Sequence, residues 1–259
     1  MKKILAILVT AILTVTACLG LTACGSEKQV KDGDKIVVGI TDYKPMDYKE
    51  GDKWVGFDAE LAEKVFTELG YQIEFKEIDW DTKIVTLKSG NIDVIWNGMT
   101  VTDELLDNVL LSDVYLQNQQ YAVVKSDATF TLTAKTDLAG KKVAVESGSA
   151  AEDAMDGIDC TLNKLTNQNS AIMEVVAGTS DVAIVDYTMA MTLTGTGSDY
   201  YGQIKMVNLG FDVEEFAIAF RKADSKLCFN VNKKIRELKK SGYVELLAAK
   251  YGILNLLTF

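Results

Sequence analysis

Apolar residues recur along this chain in two alternating rhythms. Residues 35–41 (KIVVGIT) form a short, nearly unbroken apolar run, which predicts a strand buried on both faces. In residues 57–69, Leu61, Ala62, Val65, Phe66 and Leu69 fall on one helical face. Asp58 is the expected N-cap of that helix and Gly70 its stop. Residues 72–78 alternate as a strand does. Residues 80–115 then read as helix, turn, buried strand, polar loop and helix. Ile84 and Leu87 give the first of these helices its apolar face, and Ser89-Gly90-Asn91 ends it. Val94, Ile95 and Trp96 form the brief strand, and Thr102 is placed to cap a helix that opens with Asp103 and Glu104. Further strands are expected at 121–126, 142–145, 181–185, 204–207 and 215–221. Helices are expected at 167–178, 223–240 and 243–251, and a turn at 49–53. Strands alternating with helices predict an α/β fold.

Polar loops stand where these strands end. Asn97-Gly98-Met99-Thr100 follows the strand at 94–96 directly. A glycine between small polar residues lets backbone N–H and hydroxyl groups face a ligand at the carboxyl end of a strand, where open α/β sheets bind ligands. The strand at 142–145 runs into Glu146-Ser147-Gly148-Ser149, either a dipole site or an ordinary turn into a helix. Asp186 follows the strand at 181–185, either as a ligand contact or as the N-cap of a helix from Tyr187.

Composition narrows the picture. With 37 acidic and 27 basic residues the net charge is −10, which disfavours a nucleic-acid partner. There is no histidine, so His-based triads and most zinc sites are excluded. Residues 1–23 read as a processed signal, with Lys2-Lys3 ahead of an apolar run. Leu21-Thr22-Ala23-Cys24 resembles a bacterial lipobox, with Cys24 as the lipidated first residue and 24–34 as a polar tether. Cys18 offers a second match, but it would leave apolar Leu19-Gly20-Leu21 exposed. Cys160 and Cys228 are expected as unpaired buried residues.

The motifs together carry a resemblance. W-x-x-x-I-x-x-L-x-x-G-x-x-D from Trp80, N-G-M-T-x-T-x-E from Asn97 and S-D-x-Y from Ser112 resemble the extracellular solute-binding proteins of family 3, the polar amino-acid receptors of ABC importers. G-F-D-x-x-L-A from Gly56 and Lys250-Tyr251-Gly252 extend the resemblance over nearly the whole mature chain. It implies a two-lobed periplasmic-binding-protein type II fold. Lobe one would take 35–120 and 222–259, and lobe two 121–221, joined by two hinge strands. The implied function is capture of a small solute, an amino acid or amine, for an ABC permease and its ATPase. The protein would sit on the extracytoplasmic face of the cell membrane through its lipid, with no cofactor, no metal and no catalysis. Two other functions stay open: a dehydratase on the same fold, and a sensing subunit without transport.

The resemblance also implies a site. It comprises Tyr43, Trp80, Asn97, Gly98, Met99, Thr100, Glu146, Gly148, Ser149 and Asp186. Asp186 would hold the ligand's ammonium, Trp80 and Tyr43 would pack on its side chain, and Glu146 lies near the specificity position. Two departures stand out. Leu105 replaces the arginine that holds the carboxylate, and Ala150 stands where a Thr or Ser often helps. The carboxylate could be met by backbone N–H groups of 148–151 with Thr100, or by another cation such as Lys83 or Arg221; or the ligand lacks an ordinary carboxylate. Glu146, Asp186 and Trp80 together favour a cationic ligand.

Overall fold

The computed structural model describes residues 33–258. The expected signal 1–23, Cys24, the alternative Cys18 and tether residues 24–32 lie outside the described residues.

The first lobe is built from strands β1 (Lys35–Ile40), β2 (Tyr48–Glu50) and β3 (Lys53–Val55), helix α1 (Phe57–Glu68), β4 (Gln72–Glu77), α2 (Lys83–Lys88), β5 (Val94–Ile95), α3 (Asp103–Asn108) and β6 (Leu110–Leu111). The chain then crosses on β7 (Leu116–Lys125). The second lobe follows as β8 (Lys142–Glu146), α4 (Ala150–Asp153), β9 (Thr161–Leu165), α5 (Gln168–Ala177), β10 (Val182–Asp186), α6 (Tyr187–Thr194) and β11 (Ile204–Val207). It returns on β12 (Val213–Phe216) to β13 (Ala219–Phe220), α7 (Ser225–Lys240) and α8 (Tyr243–Lys250).

Two sheets result, with strand orders β4-β1-β5-β13-β6 and β11-β7-β10-β8-β9. The apolar run of β1 lies between β4 and β5, parallel to both, with Ile36, Val38 and Ile40 fully buried. A strand covered on both sides needs such a run. In the second sheet β8 is parallel to β9 and β10, so its carboxyl end at Glu146 opens beside that of β10 at Asp186. β7 spans both lobes. Its first residues pair with β12 and its later ones with β10 and β11. The fold is therefore α/β with two sheets and two crossing strands.

Two local expectations are corrected, one is refined and one strand was missed. The N-cap of α1 is Gly56, not Asp58, and no side chain caps this helix. The opening amides are met by backbone instead: Phe57 N–H donates to Pro45 O at 2.9 Å and Asp58 N–H to Met46 O at 3.0 Å. A Cβ at Gly56 would come within 2.1 Å of Met46 O, so only glycine fits this approach. The turn at 49–53 is the tip of the β2–β3 hairpin. The strand expected at 215–221 is split, because β12 pairs with β7 whereas β13 joins the first sheet. β9 was not expected from its pattern. It is a half-exposed edge strand beside β8, which needs no continuous apolar run. Cys160 and Cys228 are free thiols.

Candidate functional site

The carboxyl ends of β5, β8 and β10 converge on a small cavity of about 30 Å³ between the lobes. Trp80, Asn97, Gly98, Met99 and Thr100 line it from lobe one. Glu146, Gly148, Ser149 and Asp186 line it from lobe two. Nine of the ten expected positions therefore meet at one place. Tyr43 does not line it. Its ring is buried against Gly98, and its hydroxyl shares a 2.5 Å hydrogen bond with Thr188 of α6, joining the lobes behind the cavity.

The 97–100 loop is held by its neighbours more than it is free for a ligand. Asn97 Oδ1 accepts from Thr41 N–H, and its Nδ2 donates to Thr41 Oγ1, both at 2.8 Å. Gly98 N–H donates to the buried carboxylate of Asp58 at 2.6 Å. Thr100 Oγ1 donates to Glu214 of β12 at 2.9 Å. Residues 99 and 101 bond to the strand at 215–217, which turns the N–H and C=O of Thr100 away from that strand. Asn97 and Gly98 thus shape the wall, and Thr100 ties it to a crossing strand.

Asp186 sits in a ring of neutral donors. Its Oδ1 accepts from Asn118 Nδ2 and from Gln120 Nε2 at 2.8 Å, and its Oδ2 from Gln168 Nε2. Its backbone N–H donates to Gln168 Oε1 at 2.9 Å. Its side chain makes no cap bond to α6, so the helix-cap role is not the one it plays. Burial pushes its pKa up, and the bonds from Gln168, Gln120, Tyr43 and Asn118 oppose that. The amides of Asn118 and Gln120 also donate to Glu214, at 3.0 and 2.9 Å. A single β7 face thereby links the cavity carboxylate to the hinge carboxylate.

Glu146 differs from Asp186. It is 3% exposed, so it is not a solvated loop acid. Its Oε1 has no hydrogen-bond partner among the described residues. Burial raises its pKa well above the usual carboxylate range; Asp186 adds to this and Lys83 opposes it. Lys83 is likewise buried and lines the cavity, with its pKa lowered first by burial. Its ammonium lies 5.0 Å over the Trp80 ring.

Sequence reasoning missed Gln120, Gln168, Glu104 and Asp153 as lining groups. Of these, Glu104 alone belonged to a quoted motif, where its position beside Leu105 was a usable signal. Leu105 itself is buried on the cavity wall. Arg221 lies elsewhere, in the lobe-one core, where it bonds Ile92 O at 2.8 Å and Asp93 at 3.0 Å. No group of His, Cys, Asp and Glu suited to a metal occurs among the described residues.

Comparison with known proteins agrees with this architecture. The profile of the bacterial extracellular solute-binding proteins, family 3, matches residues 36–253. The arginine-binding extracellular protein ArtP of Bacillus subtilis (strain 168) is 34% identical over 258 residues, covering 97% of this chain and 98% of that one. The structure of an ancestral arginine-binding protein bound to arginine superposes with a TM-score of 0.79 at 32% identity, covering 85% of this chain and 99% of that one. An ancestral amino acid-binding protein described as a precursor of cyclohexadienyl dehydratase superposes with a TM-score of 0.77 at 31% identity, covering 84% and 95%. Its two sheets, its crossing strands and a match over most of its length place this chain in the family: it belongs to the bacterial extracellular solute-binding proteins of family 3.

Proposed function

We propose that the protein captures a cationic amino acid between its lobes and delivers it to an ABC permease. The observation that carries this reading is the charge of the cavity. Glu104, Glu146, Asp153 and Asp186 line it against the single cation Lys83. Glu146 has an oxygen that no protein group satisfies. An unpaired buried carboxylate is costly, and a ligand ammonium or guanidinium removes that cost. Trp80 adds an aromatic face that suits the same charge. Relatives named for arginine binding support the choice.

The reading includes nine contact positions at the cavity, Trp80, Asn97, Gly98, Met99, Thr100, Glu146, Gly148, Ser149 and Asp186, with Tyr43 as a supporting residue that makes no contact there. The lobes would open and close about β7 and β12. Lipidation at Cys24 would anchor the protein on the extracytoplasmic face. Binding without chemistry is part of the proposal; a bound ligand recovered unchanged after long incubation would support it.

A thermal-shift screen of the purified protein against amino acids, amines and small peptides tests the reading. A ligand present at about a hundredfold its dissociation constant stabilises the native state by about 2.7 kcal/mol. Basic amino acids should raise the melting temperature and acidic ones should not. A shift confined to acidic amino acids would overturn the proposal.

A further inference from the structure

Lys83 and Glu146 both line this cavity, and neither makes an ion pair among the described residues. Lys83 Nζ donates to two neutral carbonyls, Gly148 O at 2.7 Å and Trp80 O at 3.3 Å. It makes no ion pair among the described residues, although it is 7% exposed. An ammonium carries three donors, so one is left. Glu146, at the end of β8, makes no side-chain hydrogen bond through Oε1. A buried ammonium with no carboxylate in contact and a buried carboxyl with an unsatisfied oxygen, on one cavity, suit a ligand that carries both a carboxylate and a cationic group.

The position of the cation matters as much as its presence. Leu105 of α3 closes the wall where the resemblance calls for an arginine, and an alkyl side chain cannot hold a carboxylate. Lys83 of the neighbouring helix α2 lines the same wall. The other cation weighed from the sequence, Arg221, is 2% exposed and held by Asp93, with Asp224 2.7 Å from its Nε, so it is spent on the core. Ala150 and Ala151, in the first turn of α4, also line the cavity.

We infer that Lys83 is the carboxylate anchor of the cleft, and that the ligand is an α-amino acid whose cationic groups face Glu146 and Asp186. This rests on the binding function proposed above and deepens it by naming the group that holds the ligand's carboxylate, which amines lack. A charge-assisted bond to a carboxylate is stronger than a bond to a peptide carbonyl. The ligand therefore takes the Lys83 ammonium from Gly148 O, and the lysine's flexible stem permits the move. The anchor is a point charge and not a bidentate fork, so it tolerates more ligand orientations than an arginine would.

The test is calorimetric titration of wild type, Lys83→Met and Lys83→Arg with two matched pairs: L-arginine with agmatine, and L-lysine with cadaverine. Each amine is its amino acid without the carboxylate. Wild type should prefer at least one amino acid over its amine by more than about tenfold. Lys83→Met should lose about ten- to a hundredfold in amino-acid affinity while the amine changes by less than about threefold, so the preference collapses. Lys83→Arg should keep it. The ratio is an internal control, because a general structural loss weakens both members of a pair alike. A Lys83→Met variant that still prefers the amino acid overturns the anchor and leaves the binding function standing. Wild type that binds none of the four overturns the cationic-amino-acid reading proposed above, and with it the ligand class assigned here.

Discussion

At the scale of single residues, burial without a partner decides what a charge does. Glu146 is held protonated more than an ordinary carboxyl, first by burial and then by Asp186. A bound cation favours its ionised form, so binding should release protons and affinity should rise as pH increases toward the raised value of Glu146. Glu146→Gln should weaken a cationic amino acid by about ten- to a hundredfold and flatten that pH dependence, which titrations at several pH values would read. Asp47 and Asp58 form a second buried pair, away from the cavity. Both oxygens of Asp47 and Oδ1 of Asp58 lack a partner among the described residues. Burial raises Asp47 well above its usual value and Asp58 to about 7. The native state then keeps protons that the unfolded chain releases. This stability is complete below about pH 4 and is lost as pH rises toward about 7. Asp47→Asn should flatten that decline in chemical denaturation and stabilise the protein at pH 8 by about 1 kcal/mol or more. An unchanged decline would contradict the sign argued here. Neither acid's role was legible in the sequence. Asp58 has the spacing of a helix cap, and only the fold brings Gly98 N–H to it.

At the scale of elements, the sequence told most where a pattern is dense. The apolar run of β1, the helical stripe of α1 and Thr102 before α3 were all readable. Thr102 Oγ1 does accept from Leu105 N–H, at 3.3 Å. The 97–100 loop was legible as a place but not as a mechanism. Its glycine looked like an open amide, and it is instead a packing requirement. Gly98 has φ 53°, and a Cβ there would lie 2.6 Å from Tyr43 Cε1. Gly98→Ala should therefore cost about 1–3 kcal/mol of stability and weaken ligand binding together, measured by denaturant melts and titration on the same sample. Full stability with normal binding would show that the loop is not held as tightly as described. Gln120 and Gln168 were illegible for a different reason. An amide on a strand or helix carries no signal of its own, and both reach Asp186 only because β7 and α5 flank β10.

At the scale of the molecule, contacts between the lobes flank the cavity. Lys83 reaches Gly148, Tyr43 reaches Thr188, and a Cβ on Gly148 would lie 2.7 Å from Asp81 Cα. The cavity beside these contacts is small, about 30 Å³, and lies between the lobes, so a parting of the lobes would widen it. If the proposed capture holds, closing of the lobes would couple occupancy to shape. Specificity is then a matter of which charges the cavity leaves unpaired. That claim is tested most directly by titrating the wild-type protein with L-arginine and with L-citrulline, which has nearly the same shape and hydrogen-bonding reach but no side-chain charge. The account predicts arginine binding at least about tenfold tighter than citrulline. Equal affinities, or a preference for citrulline, would contradict it.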